Sequence, residues 1–194
     1  MNVTKKREQG FTLLECLIVV GIMAILTGIT IMGSMGPMQN YKANAALDVV
    51  SSQLRVAREI SITQRRDVQI TVDTVNQAIS YQVKAPVGAT AEVDGPVVTV
   101  PLPPQTYFML ETGVPDTPMG FGNTSAVYIG NLSGGPVGMA FTPTGTFSDS
   151  TYNNPINGTI FVGMTNKPTT ARAVTIFGST GRVRPYTYNG QWVE

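Results

Sequence analysis

One carboxylate stands alone in the most apolar part of this chain. Phe11 to Met32 spans 22 residues, and Glu15 is the only charged residue among them. A carboxylate at the middle of a membrane helix costs roughly 2.5–3.5 kcal/mol on insertion scales. Near a helix N-terminus it costs less, because the helix dipole favours negative charge there. Two readings stay open from the residues alone: an acid held at a membrane edge, or a partner for a positive charge on a neighbouring subunit. Just upstream, Lys5, Lys6 and Arg7 precede Gly10-Phe11, the clearest processing cue. A secretory signal has a shorter apolar core and ends in a small-residue cleavage site, whereas a cut at Gly10-Phe11 leaves the apolar run on the mature protein. At the other end of the chain, Gly181-Arg182-Val183-Arg184 sets two guanidiniums two residues apart. On a strand these share one face, about 7 Å apart, which suits successive phosphates of a nucleic-acid backbone. The other reading of the same residues is a Thr180-Gly181 hairpin turn leading into a solvated strand. Lys167 and Arg172 would widen a basic patch, and Tyr186, Tyr188 and Trp192 would stack on bases.

Composition excludes most other chemistry. The 194 residues include no His and one Cys. Ser-His-Asp and Cys-His catalysis are therefore impossible, the usual zinc, haem and iron–sulfur ligand sets are missing, and no intramolecular disulfide can form. We expect no catalytic residue, no cofactor and no metal. Asp48, Asp67, Asp73, Glu92, Asp94 and Asp116 lack calcium-loop spacing, and Asp149 sits in an Asn/Ser/Asp-rich stretch that reads as turn chemistry. There is no Gly-Lys-Ser/Thr phosphate loop, so any motor is another protein. The formal charge is +1, from 13 Lys+Arg against 12 Asp+Glu. Removing Lys5, Lys6, Arg7 and Glu8 takes it to −1 before termini are counted, too small for broad steering of nucleic acid.

The elements that must carry these residues follow from periodicity. As a helix, the 22 apolar residues would span roughly 33 Å, enough for a bilayer core. The basic residues before them hold that end in the cytoplasm. Gly28, Gly33, Gly36 and Pro37 predict a bend or a segment able to melt. From Met38 to about Gln64 the pattern turns amphipathic: Ala43, Ala46, Leu47, Val50, Leu54, Ala57 and Ile60 recur at three- and four-residue spacing. Beyond it, Val68–Val72 and Ile79–Val83 alternate around Asp73-Thr74-Val75-Asn76, which predicts a hairpin. Short strands are predicted at Val97–Val100, Thr106–Leu110, Ala126–Ile129, Val137–Phe141, Thr159–Met164, Arg172–Phe177 and Val183–Tyr188. Pro/Gly/Asn-rich loops separate them. One long helix followed by short strands with no βαβ spacing argues an α+β fold, the helix packed on antiparallel sheet.

Lys5-Lys6-Arg7, then Gly10-Phe11-Thr12-Leu13-Leu14-Glu15 and a long apolar helix, resembles the leader of a type IV prepilin or pseudopilin. Met139-Ala140-Phe141-Thr142-Pro143-Thr144-Gly145 resembles the Phe-x-Pro-x-Gly signature of the GspH/FimT minor pseudopilins. Arg55-x-x-Arg58-Glu59-Ile60, Arg65-Arg66 and the Ala171–Arg184 hairpin also fit that family. The resemblance implies a pilin-like fold and three regions: residues 1–10 a cleaved leader, 11–37 a single membrane-spanning and filament-core helix, 38–194 a β-rich periplasmic domain. It implies that prepilin peptidase cuts between Gly10 and Phe11 and methylates the new amine of Phe11. Glu15 would then be the assembly glutamate, pairing with the N-terminal amine of an adjacent subunit; a buried cation and anion need one another. Cys16 reads as a small apolar residue. The chain would be a non-enzymatic minor subunit of a type II secretion pseudopilus or type IV pilus, held in the bacterial inner membrane. Its partners would be other pilin subunits and the inner-membrane assembly platform. Some FimT-like pilins bind DNA through Gly-Arg-x-Arg during natural transformation. The resemblance therefore implies DNA as an alternative partner of Gly181, Arg182 and Arg184, with Lys167 and Arg172 beside them.

Overall fold

The structure, a computed structural model, describes residues 12–86, 92–130, 139–149 and 154–194, without the side chains of 29–37. The chain divides into two units, Met1–Met38 and Gln39–Glu194. Helix α1 covers Leu13–Gln64, so each unit contains part of it. Its helical backbone continues through Gly33, Gly36 and Pro37, which therefore do not end it. Proline's fixed φ is itself helical, and at this point it removes one N–H donor.

In the first unit the large apolar side chains are exposed. Leu13, Leu14, Leu17, Ile18, Val19, Val20, Ile22, Met23, Ile25 and Leu26 all point to solvent. At about 100° per residue these positions cover every side of the helix, so no single face is reserved for a core. No helix among the described residues is long and apolar enough to cross a membrane. The described side chains of the apolar run stop at Gly28.

The second unit has a different logic. Ala43, Ala46, Leu47, Val50, Leu54 and Ala57 are buried along one stripe of α1. The stripe ends on Ser61 rather than Ile60: Ser61 is fully buried and donates its hydroxyl to the Arg58 carbonyl at 2.7 Å, while Ile60 lies at the rim. A local bond to the preceding turn is how a helical serine satisfies its hydroxyl inside a core.

Among the described residues eleven short strands follow: β1 Val68–Asp73, β2 Ala78–Val83, β3 Val98–Pro101, β4 Tyr107–Phe108, β5 Val127–Ile129, β6 Met139–Phe141, β7 Phe147–Ser148, β8 Gly158–Gly163, β9 Arg172–Ile176, β10 Val183–Tyr188 and β11 Trp192–Val193. All their pairings are antiparallel, as expected, but they form two sheets rather than one. The first has the order β3-β2-β1-β6-β7; the second has β11-β10-β9-β8-β4, with β5 also on β8. The predicted β1/β2 hairpin is present. Asp73 closes it, its Oδ1 accepting the N–H groups of Val75 and Asn76, each at 2.8 Å. The two-residue strands β7 and β11 carry no alternation of their own, which is why periodicity missed them.

Both sheets feed one core. Val68, Ile70, Ile79, Met139, Phe141 and Phe147 come from the first, and Ile160, Val162, Val174 and Ile176 from the second. Leu47, Val50 and Leu54 of α1 join them. Full burial of each such side chain stabilises the fold by roughly 1.5–3 kcal/mol. The far face of the second sheet holds a smaller cluster of Phe161, Ala173 and Tyr186, with Leu110, Met119 and Trp192 around it.

Candidate functional site

At the N-terminus, Gly10 and Phe11 lie outside the described residues. Glu15 is described, and it closes the first turn of α1. Its Oε2 accepts the Thr12 N–H at 3.3 Å, and its own N–H donates to Thr12 Oγ1 at 3.3 Å. Thr12-x-x-Glu15 is thus a reciprocal capping box, satisfying two of the helix's orphan donors. The carboxylate sits at the positive end of the helix dipole, where a negative charge costs least.

The second site lies where three distant segments meet. The loop Thr142–Thr146 between β6 and β7 is held by Thr142 N–H to Thr146 O (2.9 Å) and Gly145 N–H to Thr142 O (2.8 Å), with Gly145 at φ +80°. Arg58 of α1 donates its Nε–H to the Gly145 carbonyl at 3.2 Å. The turn between β9 and β10 comes down on the same place. Gly181, at φ +60°, donates its N–H to Phe177 O at 2.7 Å. A side-chain carbon there would overlap the Gly145 carbonyl oxygen and stand 2.9 Å from Arg58 Nε. Thus the Phe-x-Pro-x-Gly loop, the α1 arginine and the Gly-Arg-x-Arg turn form one junction, and Gly181 is required by its contacts as well as its backbone.

The two arginines of the motif part company at this junction. Strand β10 begins at Val183, so Arg182 lies one residue outside the strand. It is exposed and lines an open cleft of about 500 Å³ with Arg55, Arg58, Glu59, Thr180, Gly181 and Val183. Arg184 faces Thr175 across the sheet and is half-buried. Its guanidinium lies 6.0 Å from the Phe177 ring centroid, and its Nη1 is 3.3 Å from Glu194 Oε2. Its Nε is buried. Arg182 thus sits one residue outside β10, although its carbonyl still accepts the Phe177 N–H at 3.0 Å and continues the hairpin ladder.

Lys167 and Arg172 do not join Arg182. They lie before and at the start of β9, whereas Arg182 lies past its end. Arg172 is 3% exposed and donates to Asn44 Oδ1 (2.8 Å), Thr169 O (3.0 Å) and Ala171 O (2.9 Å). It shares the helix-facing side of β9 with Val174 and Ile176, so it ties the sheet to α1. Burial lowers its pKa. The expectation that Arg172 widens a surface patch is corrected: its position shares the core-facing side of its strand. Tyr186 is likewise buried, and Trp192 donates its indole N–H to Pro115 O at 2.9 Å. The residues that sequence reasoning did not bring to the cleft are Arg55, Arg58 and Glu59. Their spacing of three and four marked one helix face, but nothing local said that the turn at Gly181 would meet it.

Residues 5–31 match the family model described as the prokaryotic N-terminal methylation motif. No curated protein matches the chain. Among solved structures the chain is similar to the minor pseudopilin EpsH from the type 2 secretion system of Vibrio cholerae. Identity is 9%, over 75% of this chain and 97% of that one, with a TM-score of 0.46. It is also similar to the type IV minor pilin FimU of Pseudomonas aeruginosa strain PAO1. There the identity is 15%, over 78% of this chain and 97% of that one, and the TM-score is again 0.46.

Proposed function

We propose that this chain is a minor pilin or pseudopilin, a structural subunit without catalytic activity. Prepilin peptidase cuts it between Gly10 and Phe11 and methylates Phe11. The apolar part of α1 then anchors it in the bacterial inner membrane with residues 38–194 in the periplasm. From there it enters a type IV pilus or type II secretion pseudopilus with other pilin subunits, through the inner-membrane assembly platform. The observation that carries this reading is the methylation motif at residues 5–31 standing on α1. That helix is apolar and exposed on every side up to Leu26, then supplies a one-sided core stripe from Ala43. An all-round apolar helix needs lipid or other helices around it. The test is the mass of the chain recovered from cells with an active prepilin peptidase. A mature chain starting at N-methylated Phe11 is expected, and Gly10→Ala should leave the leader attached. Glu15→Ala should be processed normally but be depleted from sheared filaments. Normal incorporation of that variant would remove the assembly role of Glu15.

A second reading adds DNA capture to the same subunit. The observation favouring it is Arg182, exposed beside Arg55 and Arg58 in the cleft. Fluorescence anisotropy with a labelled oligonucleotide across a salt series tests it. Salt-dependent binding that Arg182→Gln weakens would favour the pilus over the pseudopilus.

A further inference from the structure

We propose that Asn189-Gly190, in the turn between β10 and β11, is a site of spontaneous deamidation, and that its isoaspartyl product releases β11 from the second sheet. This chemistry is independent of how the subunit assembles and of any DNA contact. The Gly190 nitrogen attacks the side-chain carbonyl carbon of Asn189 and gives up its proton. Ammonia leaves as a cyclic imide closes, and water then opens the ring. Breaking the imide bond to the side-chain carbonyl gives aspartate. Breaking the bond to the main-chain carbonyl gives isoaspartate, in which the main chain runs through the side-chain carbons. An amide nitrogen leaves, a water oxygen enters, and nothing is oxidised or reduced.

Geometry selects this asparagine. The chain holds two Asn-Gly pairs, Asn157-Gly158 and Asn189-Gly190. Asn189 and Gly190 are both exposed. A side-chain carbon at Gly190 would meet nothing within 4 Å, so space is open beside the attacking nitrogen. Among the described residues the Gly190 N–H has no hydrogen-bond partner. The Gln191 N–H donates to Asn189 Oδ1 at 3.4 Å, the oxygen on which negative charge develops during the attack. Asn157 is held differently. Its Oδ1 accepts the Gly178 N–H at 2.9 Å, and its carbonyl accepts the Gly130 N–H at 2.8 Å. Gly158 is buried in β8, between Ile129 of β5 and Ile176 of β9. An imide at Asn157 therefore requires the sheet to open first, whereas one at Asn189 does not.

The consequence follows from how little holds β11. It comprises only Trp192–Val193, with Trp192 opposite Tyr188 and Val193 opposite Thr187. In a hairpin the connection sets the register, and here the connection is residues 189–191. Isoaspartate inserts an extra carbon into the main chain inside that connection. In the intact turn the Trp192 indole N–H donates to Pro115 O at 2.9 Å, and Glu194 reaches Arg184 at 3.3 Å. The Trp192 ring centroid lies 5.1 Å from that of Tyr188 and 6.1 Å from that of Phe161. A strand of two residues has no further pairs to keep its place, so these contacts leave together. Their loss uncovers the cluster of Phe161, Ala173 and Tyr186.

The experiment incubates the full-length chain in non-ionic detergent micelles at mildly alkaline pH and follows two readouts over time. Peptide masses after proteolysis report a gain of about 1 Da at each deamidated asparagine. An isoaspartate-specific methyltransferase counts the isoaspartyl fraction. Fluorescence reports Trp192, the only tryptophan in the chain. Asn189 should gain mass at least about tenfold faster than Asn157 in the folded chain, and the two rates should converge in denaturant. Tryptophan emission should shift to the red in step with the isoaspartyl fraction. Asn189→Gln, which cannot close the same ring, should keep its mass and its emission. Asn189→Asp carries the new charge without the extra main-chain carbon, so freshly purified it should keep the native emission. Equal rates for Asn189 and Asn157 in the folded chain, or no gain at Asn189, would overturn the assignment of the site. Isoaspartate at Asn189 with unchanged emission would overturn the release of β11, and a full shift in fresh Asn189→Asp would overturn the lengthened turn as its cause.

Discussion

Substituting alanine at three glycines separates two physical costs that coincide at Gly181. Gly190 has φ +103°, and a side-chain carbon added there would meet nothing within 4 Å, so Gly190→Ala incurs only backbone strain. That strain is about 1–2 kcal/mol for a left-handed residue. Gly178 has no positive φ, but a side-chain carbon would stand 2.6 Å from the Ile156 backbone nitrogen. Gly178→Ala therefore isolates the steric cost, about 1–3 kcal/mol for overpacking against groups that must shift. Gly181 carries both burdens: φ +60°, overlap with the Gly145 carbonyl, and Arg58 Cδ at 3.1 Å. A carbonyl on a hydrogen-bonded loop cannot move aside as a side chain can. Gly181→Ala should therefore cost about 3 kcal/mol, the approximate sum. For a domain of this size each kcal/mol lowers Tm by about 2–4 °C, so the expected drop is roughly 6–12 °C. Gly190→Ala should give only a few degrees. The assay is thermal unfolding followed by circular dichroism for all three variants in the same detergent. Equal shifts for Gly181→Ala and Gly190→Ala would refute the close approach to Gly145. An unshifted Gly178→Ala would refute the steric cost itself.

Three further outcomes follow from the same structure. Arg172→Ala should destabilise the fold by about 3 kcal/mol, and Arg172→Met by less, because methionine refills the volume and removes the buried charge; comparative Tm values decide this, and equal losses would contradict it. Hydrogen bonds from Asn76 and Val75 lower the pKa of Asp73, and Lys84 and the Ala85 N–H lower that of Asp94. Each therefore adds stability above the unfolded carboxylate value of about 3.9 that is lost as pH falls through the lower folded value. Burial raises Asp67, which acts oppositely: its penalty is relieved as pH falls through its raised folded value. Asp73→Asn should thus make the acid loss of Tm below about pH 4 shallower, and an unchanged profile would remove Asp73 from the account. Thr12→Val deletes half of the capping box, a loss of about 1 kcal/mol, so first-turn amides should exchange roughly fivefold faster; unchanged exchange over Leu13–Leu17 would show that the cap does not hold that turn.

What the sequence determined by itself is what depends on spacing along the chain. The stripe from Ala43 to Ala57 sits where its period places it, because α1 presents every third or fourth residue to one side. The β1/β2 hairpin follows its alternation and its Asp73 turn, and β10 covers Val183–Tyr188 as read. Tertiary structure decided what depends on which segments meet. The strands form two sheets because β1 accepts β6, setting Val68 across from Phe141 and Ile70 across from Met139, partners far along the chain that no local signal names. Arg172 became a buried tie to Asn44 because its register on β9 places it with Val174 and Ile176, a fact visible only once the helix lies over that face. Arg182 and Arg184 look equivalent in Gly-Arg-Val-Arg. Their difference in burial arises at the turn where Gly181, left-handed, packs against Gly145 and Arg58: Arg182 is left exposed one residue outside β10, while Arg184 lies within it and is half-buried. Close approach of three distant backbones is a property of packing, and packing is what a one-dimensional pattern does not contain.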